Sequence, residues 1–325
     1  MRRRLLWAAA LAATLAGAAW IWSRYSGGWH RFLELAGAVP AALWPPILAA
    51  TLAFYLLDWL RFYCLLRLFG VRLSPLSGLR LTLVSDFVCS LTPITELNLP
   101  SMVYFLGRDG VAPATATAVT LVKSLTMTLW VCAAAGVALR LDRGLRLPPS
   151  VAEFLPLSLA CVAALTTALA AISFFPDRVL EWARPRLESA GGGLRRKILE
   201  GLIETASALA AIGGARGRWQ WLTHAAGLAS IAAYVAVGML LARGVGLEPA
   251  PLRHAAAFTT SLMIAYLAPV PGSIGVTEWA TSYLLDPGMS EAGMAAAILL
   301  RALTCYAGIP IGALLVGTEA WRRIV

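Results

Sequence analysis

Two cations lie inside long apolar runs, where a charged side chain needs a physical reason. Lys123 follows Ala-Val-Thr-Leu-Val, and Arg301 follows Ala-Ile-Leu-Leu. Each buried cation costs roughly 2.5–3.5 kcal/mol when it is inserted at the centre of a membrane helix. Two interpretations stay open. Each cation pairs with a carboxylate such as Glu96 or Glu278, or both cations face a central cavity and bind an anionic group such as phosphate.

Proline and glycine interrupt two apolar stretches at places where backbone groups could take part in binding. The more informative stretch is 268–278, Ala-Pro-Val-Pro-Gly-Ser-Ile-Gly-Val-Thr-Glu. Irregular backbone at membrane depth survives only where it is buried in protein or lines a polar cavity. Broken helices of this kind form the substrate sites of many transporters. Helix N-termini after Pro93 and Pro271 would direct partial positive charge at an anion, and Gly272 and Gly275 would let the backbone approach it.

Three acids also lie in apolar sequence, namely Glu278, Glu96 and Asp86. One of them could be the partner of a cation, and one could carry a proton that couples transport to a gradient, because burial favours the neutral form of a carboxyl group. The sequence does not assign these roles. Asp58 and Arg61 lie three residues apart near the inner end of a helix and are interpreted as a structural ion pair.

The composition is that of a polytopic membrane protein, with 59% hydrophobic and 14% charged residues. The net charge of +10 is interpreted as the excess of basic residues in cytoplasmic loops, so no nucleic-acid partner is expected. The 5 cysteines and 3 histidines have no metal-ligand spacing, so no metal or other cofactor is expected. Apolar windows long enough to span a membrane are Leu5–Trp22, Leu43–Leu66, Ala114–Leu139, Phe154–Phe175, Trp219–Leu241 and Ala292–Val316.

The distribution of arginine and lysine predicts how the two interrupted stretches, Leu79–Leu106 and Ala255–Leu285, are arranged. If each stretch returns to the side from which it entered, 18 basic residues lie in the cytoplasm and 7 lie on the opposite side of the membrane. If each stretch crossed fully, the basic segment 177–218 would lie outside, against the positive-inside rule. We therefore expect re-entrant hairpins and both termini on the cytoplasmic side of a bacterial inner membrane. The first helix is expected to stay uncleaved, because its apolar run reaches Trp22 and ends in the aromatic residues Trp20, Trp22 and Tyr25.

An internal repeat is predicted from matching order and spacing. The segment 70–75, Gly-Val-Arg-Leu-Ser-Pro, recurs at 244–249 as Gly-Val-Gly-Leu-Glu-Pro, and Lys123 corresponds to Arg301 at an offset of 178 residues. The repeats span about 43–140 and 219–318, in a single transmembrane domain, 1–325. Because the hairpins would enter from opposite faces, the repeat is predicted to be inverted, as in alternating-access carriers.

The cytoplasmic linker, about 177–218, includes a basic amphipathic segment, Leu194–Ile212. Its apolar residues recur at helical spacing, and Arg195, Arg196 and Lys197 lie beside them. A helix on the anionic inner leaflet is the favoured interpretation, and a partner-docking helix is the alternative.

These residues resemble the transmembrane region of the lysylphosphatidylglycerol synthase family, a large group of flippase-like membrane proteins. The resemblance covers roughly residues 40–318. Pro269–Glu278 is similar to the family's Pro-Gly-Gly-x-Gly-x-x-Glu hairpin, and Arg301 with Tyr306 is similar to its Arg-x-x-x-x-Tyr pattern. Leu91–Glu96 matches the family's Thr-Pro-Gly-x-x-Gly-Glu only in part, since its glycines are absent. The resemblance implies the handling of a lipid or lipid-linked head group, without the soluble aminoacyl-transferase domain that some relatives carry.

The sequence thus predicts an all-α integral membrane protein of about six transmembrane helices plus two oppositely oriented re-entrant hairpins. It is expected to move an anionic phospholipid or polyprenyl phosphate type of lipid between leaflets. A small soluble anion carrier and a non-transporting, lipid-presenting assembly factor are the alternatives. No enzymatic activity is expected, and a homo-oligomer is possible. The candidate substrate-binding residues are Lys123, Arg301, Glu278, Glu96, Pro93, Pro269, Pro271, Gly272, Gly275 and Tyr306.

Overall fold

The computed structural model describes residues 33–34, 36–91, 99–189, 193–212, 217–268 and 271–321. Within these ranges the chain is helical and contains no strand, as predicted. The helices, in chain order, are α1 Trp44–Leu68, α2 Pro75–Leu91, α3 Leu99–Arg108, α4 Pro113–Leu141, α5 Pro149–Phe174, α6 Pro176–Glu188, α7 Leu194–Ile212, α8 Arg218–Gly244, α9 Pro251–Leu267, α10 Val276–Leu285, α11 Glu291–Arg301 and α12 Gly308–Trp321.

Five helical segments among the described residues are long and apolar enough to cross a membrane, so the protein is a multi-pass membrane protein. They are Ala41–Leu68, Pro113–Leu141, Val151–Ala168, Arg218–Gly244 and Glu291–Val316. These segments agree with five of the six windows found in the sequence. The sixth window, Leu5–Trp22, lies outside the described residues.

Proline and glycine set the ends of the helices around the interrupted stretches. Helices α2, α4 and α9 each begin with proline, which is tolerated there because the first N–H of a helix has no intrahelical acceptor. Helices α1 and α8 are each followed by a left-handed glycine, Gly70 with φ 72° and Gly246 with φ 82°. Both glycines stop the helix in a C-terminal turn that a residue with a Cβ would strain.

This geometry shifts the alignment of the two predicted repeats by two residues. Gly244, which the sequence motif aligns with Gly70, is the last residue of α8, and a Cβ there would lie 2.8 Å from a methyl carbon of Val39. The left-handed glycine that corresponds to Gly70 is Gly246. The next residue in each turn donates its N–H back into the helix, from Val71 to Leu66 at 2.9 Å and from Leu247 to Ala242 at 3.0 Å.

The two halves of the chain follow the same order of helices with similar lengths. Helices α1 and α8 have 25 and 27 residues, α2 and α9 both have 17, and α3 and α10 both have 10. The long α4 corresponds to the combined stretch from α11 to α12. The packing is exchanged between the halves, because α2 packs against α12 and α9 packs against α4.

Helices α1 and α8 pack against each other in antiparallel orientation. The rings of Phe54 and Tyr234 lie 5.9 Å apart, and a Cβ on Gly227 would lie 3.1 Å from Cδ of Arg61. As the residue number rises along α1, the number of its neighbour on α8 falls. The helices that open the two halves therefore run in opposite directions.

Two apolar cores flank the interface between the halves. One core is built mainly from α8, α9, α10 and α11 with part of α4, and the other is built from α1, α2, α3 and the start of α4. Small residues allow close packing in the first core. A Cβ on Gly238, for example, would lie 2.6 Å from the ring of Phe258. The polar side chains described below lie where these two cores meet.

The predicted helix Leu194–Ile212 is present as α7 with the same bounds. It packs against α6 and also contacts α4 and α5. Its buried Leu199 lies in a small cluster with Ala183, Leu187 and Ile203. The apolar face of α7 is thus covered at least in part by protein, and its position on the inner leaflet stays a prediction.

Candidate functional site

A cavity of about 170 Å³ lies between the two halves of the chain. Residues from α1, α2, α4, α8, α9, α11, the turn before α10 and the segment Ala302–Tyr306 after α11 line it. The polar members of this lining are Tyr55, Asp58, Arg61, Ser85, Asp86, Ser90, Lys123, Ser124, Tyr234, Tyr266, Ser273, Arg301 and Thr304. Both predicted intramembrane cations therefore line the same cavity.

Lys123 reaches the cavity from α4 and is 7% exposed. Its ammonium donates to Oγ of Ser85 at 3.0 Å and lies 5.0 Å from the ring centre of Phe62. Among the described residues, no carboxylate oxygen lies within 4 Å of this ammonium. Its charge is thus held by a hydroxyl and an aromatic face, both weaker partners than a carboxylate.

Arg61 forms the ion pair with Asp58 that the sequence predicted. Its Nε and one terminal nitrogen donate to the same oxygen of Asp58 at 3.1 and 2.8 Å. The other terminal nitrogen donates to the backbone carbonyl of Lys123 at 2.9 Å. Arg61 therefore links α1 to α4 through the backbone of Lys123.

Sequence reasoning missed that Asp58 and Arg61 line the cavity. Asp58 lies ten residues before the end of α1 at Leu68, about 15 Å along the axis, so it is deeper than the inner end to which it was assigned. The depth of this charged pair within a spanning helix was the sequence signal that could have indicated a place at the cavity. The neighbours that a helical face contacts are set by packing, which the sequence does not specify.

Arg301, the last residue of α11, also lines the cavity and is 6% exposed. One terminal nitrogen donates to the carbonyl oxygen of Gly272 at 2.5 Å, and Nε lies 3.5 Å from Oε1 of Glu278. Of the two interpretations of the cations, pairing with a carboxylate is therefore present for Arg301. The guanidinium also lines the cavity, and its binding of an anionic group stays a prediction.

The carboxylate of Glu278 is occupied on both oxygens. Oε1 accepts a hydrogen bond from the hydroxyl of Tyr306 and faces Arg301. Oε2 accepts from the backbone N–H of Gly275 at 2.7 Å, which caps the first turn of α10. Glu278 is 8% exposed and is not among the residues that line the cavity. Its contacts are those of a group that orients Arg301.

The turn before α10 differs from the sequence prediction. A helix N-terminus was expected directly after Pro271, but α10 begins at Val276. Pro271–Ser273 forms a short 3-10 turn, and Gly272, Ser273 and Gly275 have φ of 56°, 55° and 84°. Left-handed residues cannot continue an α-helix, which delays its start to Val276. Prolines mark the break, but they do not specify where the next helix begins.

Gly272 is a point of close approach between the turn before α10 and the end of α2. A Cβ there would lie 3.1 Å from the carbonyl oxygen of Ser90, near the end of α2. The hydroxyl of Ser273 donates to the carbonyl of Ala265 within its own half. The end of α2, this turn and Arg301 therefore meet at one wall of the cavity.

A π-helical segment, Ala302–Tyr306, follows Arg301 directly. The N–H of Ala307 bonds to the carbonyl of Ala302 at 2.9 Å, five residues back. The carbonyl of Leu303 is thereby released from the α-helical pattern and accepts from the hydroxyl of Tyr55 at 3.1 Å. Segments of this kind often occur at functional sites. Here the segment places Tyr306 against Glu278 while Arg301 stays on the cavity wall.

A family model described as the lysylphosphatidylglycerol synthase TM region matches residues 6–312. The chain belongs to this family. No match was found among curated proteins or among solved structures. Membership supports a membrane-embedded, lipid-related function.

The motif residues of this family member lie close together in space. Glu278 from the hairpin motif contacts both Arg301 and Tyr306 from the following motif. The residues of this set that line the cavity are Lys123, Arg301 and Gly272. Outside the lining, Glu278 faces Arg301 and accepts hydrogen bonds from Gly275 and Tyr306. Pro271 begins the 3-10 turn. Pro93, Glu96 and Pro269 lie outside the described residues.

Proposed function

We propose that this protein moves an anionic, phosphate-bearing lipid or lipid-linked head group between the leaflets of a bacterial cytoplasmic membrane. The head group would enter the cavity between the halves of the chain, with Lys123 and Arg301 as its cationic ligands. The acyl or prenyl tails would stay in the surrounding lipid. The proposal includes no bond-making or bond-breaking step.

The observation that carries this proposal is the convergence of the two cations. Lys123 and Arg301 each lie ten residues after the first residue of their helix, α4 and α11. They come from different halves of the chain, yet both line the same cavity. Lys123, which has no carboxylate within 4 Å among the described residues, and Arg301, which faces Glu278, offer two donors to one phosphate.

The size of the cavity fits a head group rather than a whole lipid. Its volume of about 170 Å³ equals that of roughly five or six water molecules. A phosphate with a small substituent matches this space. An anion of that size could also be a soluble one, so transport of lipid has to be measured directly.

We further propose that the two halves are inverted repeats and that α2–α3 and α9–α10 form re-entrant hairpins. The antiparallel pairing of α1 with α8 and the exchanged packing of α2 and α9 support the inversion. Helices α3 and α10, at 10 residues each, are about 15 Å long, half of a hydrocarbon core of about 30 Å. This arrangement would place both termini in the cytoplasm.

Purified protein in liposomes with a trace of fluorescent phosphatidylglycerol tests the function. Dithionite bleaches the probe in the outer leaflet, so protein-mediated movement increases the bleached share. Lys123→Ala and Arg301→Ala each remove a charged donor worth roughly 1.5–3 kcal/mol, and we expect a rate about tenfold or more below that of the wild type. Arg143→Ala, at an exposed position after α4, is the matched control and should move lipid normally.

The same liposomes distinguish the alternative functions. Uptake of radiolabelled phosphate without movement of lipid would indicate a carrier of soluble anions. Movement of neither, together with a stable complex formed through residues 177–218, would indicate an assembly factor. Full lipid movement by the Lys123→Ala, Arg301→Ala double variant would refute the proposed site.

A further inference from the structure

The described ionisable side chains at the cavity are balanced in charge. Three cations and three carboxylates line it or contact its lining. They are Arg61, Lys123, Arg301, Asp58, Asp86 and Glu278. With all six ionised, the site has no net charge before any ligand enters. A bound monoanion would therefore leave one uncompensated negative charge in a region of low polarity, which is unfavourable.

Two of the three carboxylates lie against a cation of their own. Asp58 accepts two hydrogen bonds from Arg61, at 3.1 and 2.8 Å. Glu278 accepts from Gly275 N–H and from Tyr306, and it faces Arg301. Each of these carboxylates is therefore already the partner of a buried cation.

Asp86 differs from both. Its side chain lines the cavity from α2, and the structure gives its carboxylate no hydrogen bond or ion pair with a described residue. Titratable and charged groups face it from the surrounding elements. They are Tyr55, Asp58 and Arg61 on α1, Lys123 on α4, Tyr266 on α9 and Cys305 in the π-helical segment.

Lys123 is the cation that a ligand and Asp86 would share. It has a hydroxyl and an aromatic ring as contacts, so a phosphate can approach it without breaking an ion pair. Once the phosphate is bound, its repulsion of the Asp86 carboxylate partly offsets the attraction between Lys123 and Asp86. A like charge favours the neutral form of a carboxyl group.

We infer that Asp86 takes up one proton when an anionic head group binds between Lys123 and Arg301. This inference rests on the proposed function and names the coupling ion of the same site. The proton comes from water that reaches the cavity and ends on a carboxylate oxygen of Asp86, and no other bond changes. Binding of each phosphodiester is thus accompanied by one proton.

Short-chain phosphatidylglycerol in detergent solution is a suitable probe, because its phosphodiester does not titrate near neutral pH. Calorimetry in two buffers of different ionisation enthalpy gives the number of protons taken up per bound lipid. We expect this number to approach one in the wild type where free Asp86 is ionised. The Kd should then rise by up to about tenfold per pH unit as the pH increases.

Three variants test which carboxylate takes up the proton. Asp86→Asn keeps the size of the side chain and should bind with no proton uptake and with a Kd that does not depend on pH. Asp177→Asn, the same change at an exposed position on α6, should behave as the wild type. Glu96→Gln tests the acid outside the described residues, and it should retain the uptake.

The outcomes separate this inference from the proposed function. Saturable binding without proton uptake in the wild type would overturn the role of Asp86 and leave the anion site intact. That result does not depend on whether any variant folds. Uptake that persists in Asp86→Asn but is lost in Glu96→Gln would also overturn it. The absence of saturable binding would reject the anion site and the inference together.

Discussion

Replacing Gly272 by alanine tests the close contact between the turn before α10 and the end of α2. The residue has a φ of 56°, and a Cβ would lie 3.1 Å from the carbonyl oxygen and 3.2 Å from the Cα of Ser90. A left-handed alanine costs roughly 1–2 kcal/mol, and forcing backbone apart in a packed region costs roughly 1–3 kcal/mol. The variant should thus lose about 2–5 kcal/mol of stability.

The expected loss can be measured as a shift of the apparent melting temperature. At about 2 °C per kcal/mol for a chain of this length, Gly272→Ala should melt about 4–10 °C below the wild type. The 12 tryptophans give an intrinsic fluorescence signal, recorded in detergent at one fixed scan rate. Lipid movement should fall as well, because the carbonyl of Gly272 accepts from Arg301.

Gly136→Ala is the matched control for this experiment. Gly136 lies within α4, and nothing comes within 4 Å of a Cβ built on it. Alanine favours a helix over glycine by about 1 kcal/mol, so this variant should melt at or slightly above the wild-type temperature. A Gly272→Ala protein that melts with the wild type would refute the close approach of the turn to α2.

Two further predictions concern residues beside the site. Tyr306→Phe removes the hydroxyl that donates to Glu278 and should raise the Kd for phosphatidylglycerol severalfold, measured by calorimetry; an unchanged Kd would contradict the supporting role of Tyr306. Asp286 lies in the loop after α10, where hydrogen bonds from Ser290 and the backbone of Gly288 lower its pKa from the ordinary 3.8. Because its folded-state pKa is depressed, its contribution to stability is present above pH 3.8 and is lost as the pH falls below that value. In the Asp286→Asn variant the melting temperature should therefore fall less steeply than in the wild type as the pH is lowered below 3.8. An unchanged dependence of the melting temperature on pH would contradict this assignment.

The spanning helices were predictable because hydropathy alone identifies them. Five predicted windows coincide with the observed spans, and α7 has the predicted bounds Leu194–Ile212. Both depend on the periodicity and length of apolar sequence, which are local properties. The ion pair of Asp58 with Arg61 was also predictable, since residues three apart are neighbours on any helix.

The parts that the sequence did not predict depend on backbone conformation and on packing between distant segments. The repeat alignment used Gly244 because its motif matches, whereas the left-handed turn belongs to Gly246. The start of α10 is delayed by left-handed Ser273, a residue type that seldom adopts this conformation. The sequence analysis did include a central cavity that Lys123 and Arg301 both face, but the exchanged packing of the two halves that brings them there is not encoded by any local pattern.

The central claim is that Lys123 and Arg301 hold a phosphate-bearing lipid. Native mass spectrometry with lipid analysis of the purified protein tests it most directly, with Lys123→Ala, Arg301→Ala and the control Arg143→Ala beside the wild type. We expect one class of anionic lipid to copurify with the wild type and the control and to be missing from both cavity variants. A wild type that retains no anionic lipid, or cavity variants that retain it unchanged, would contradict the claim.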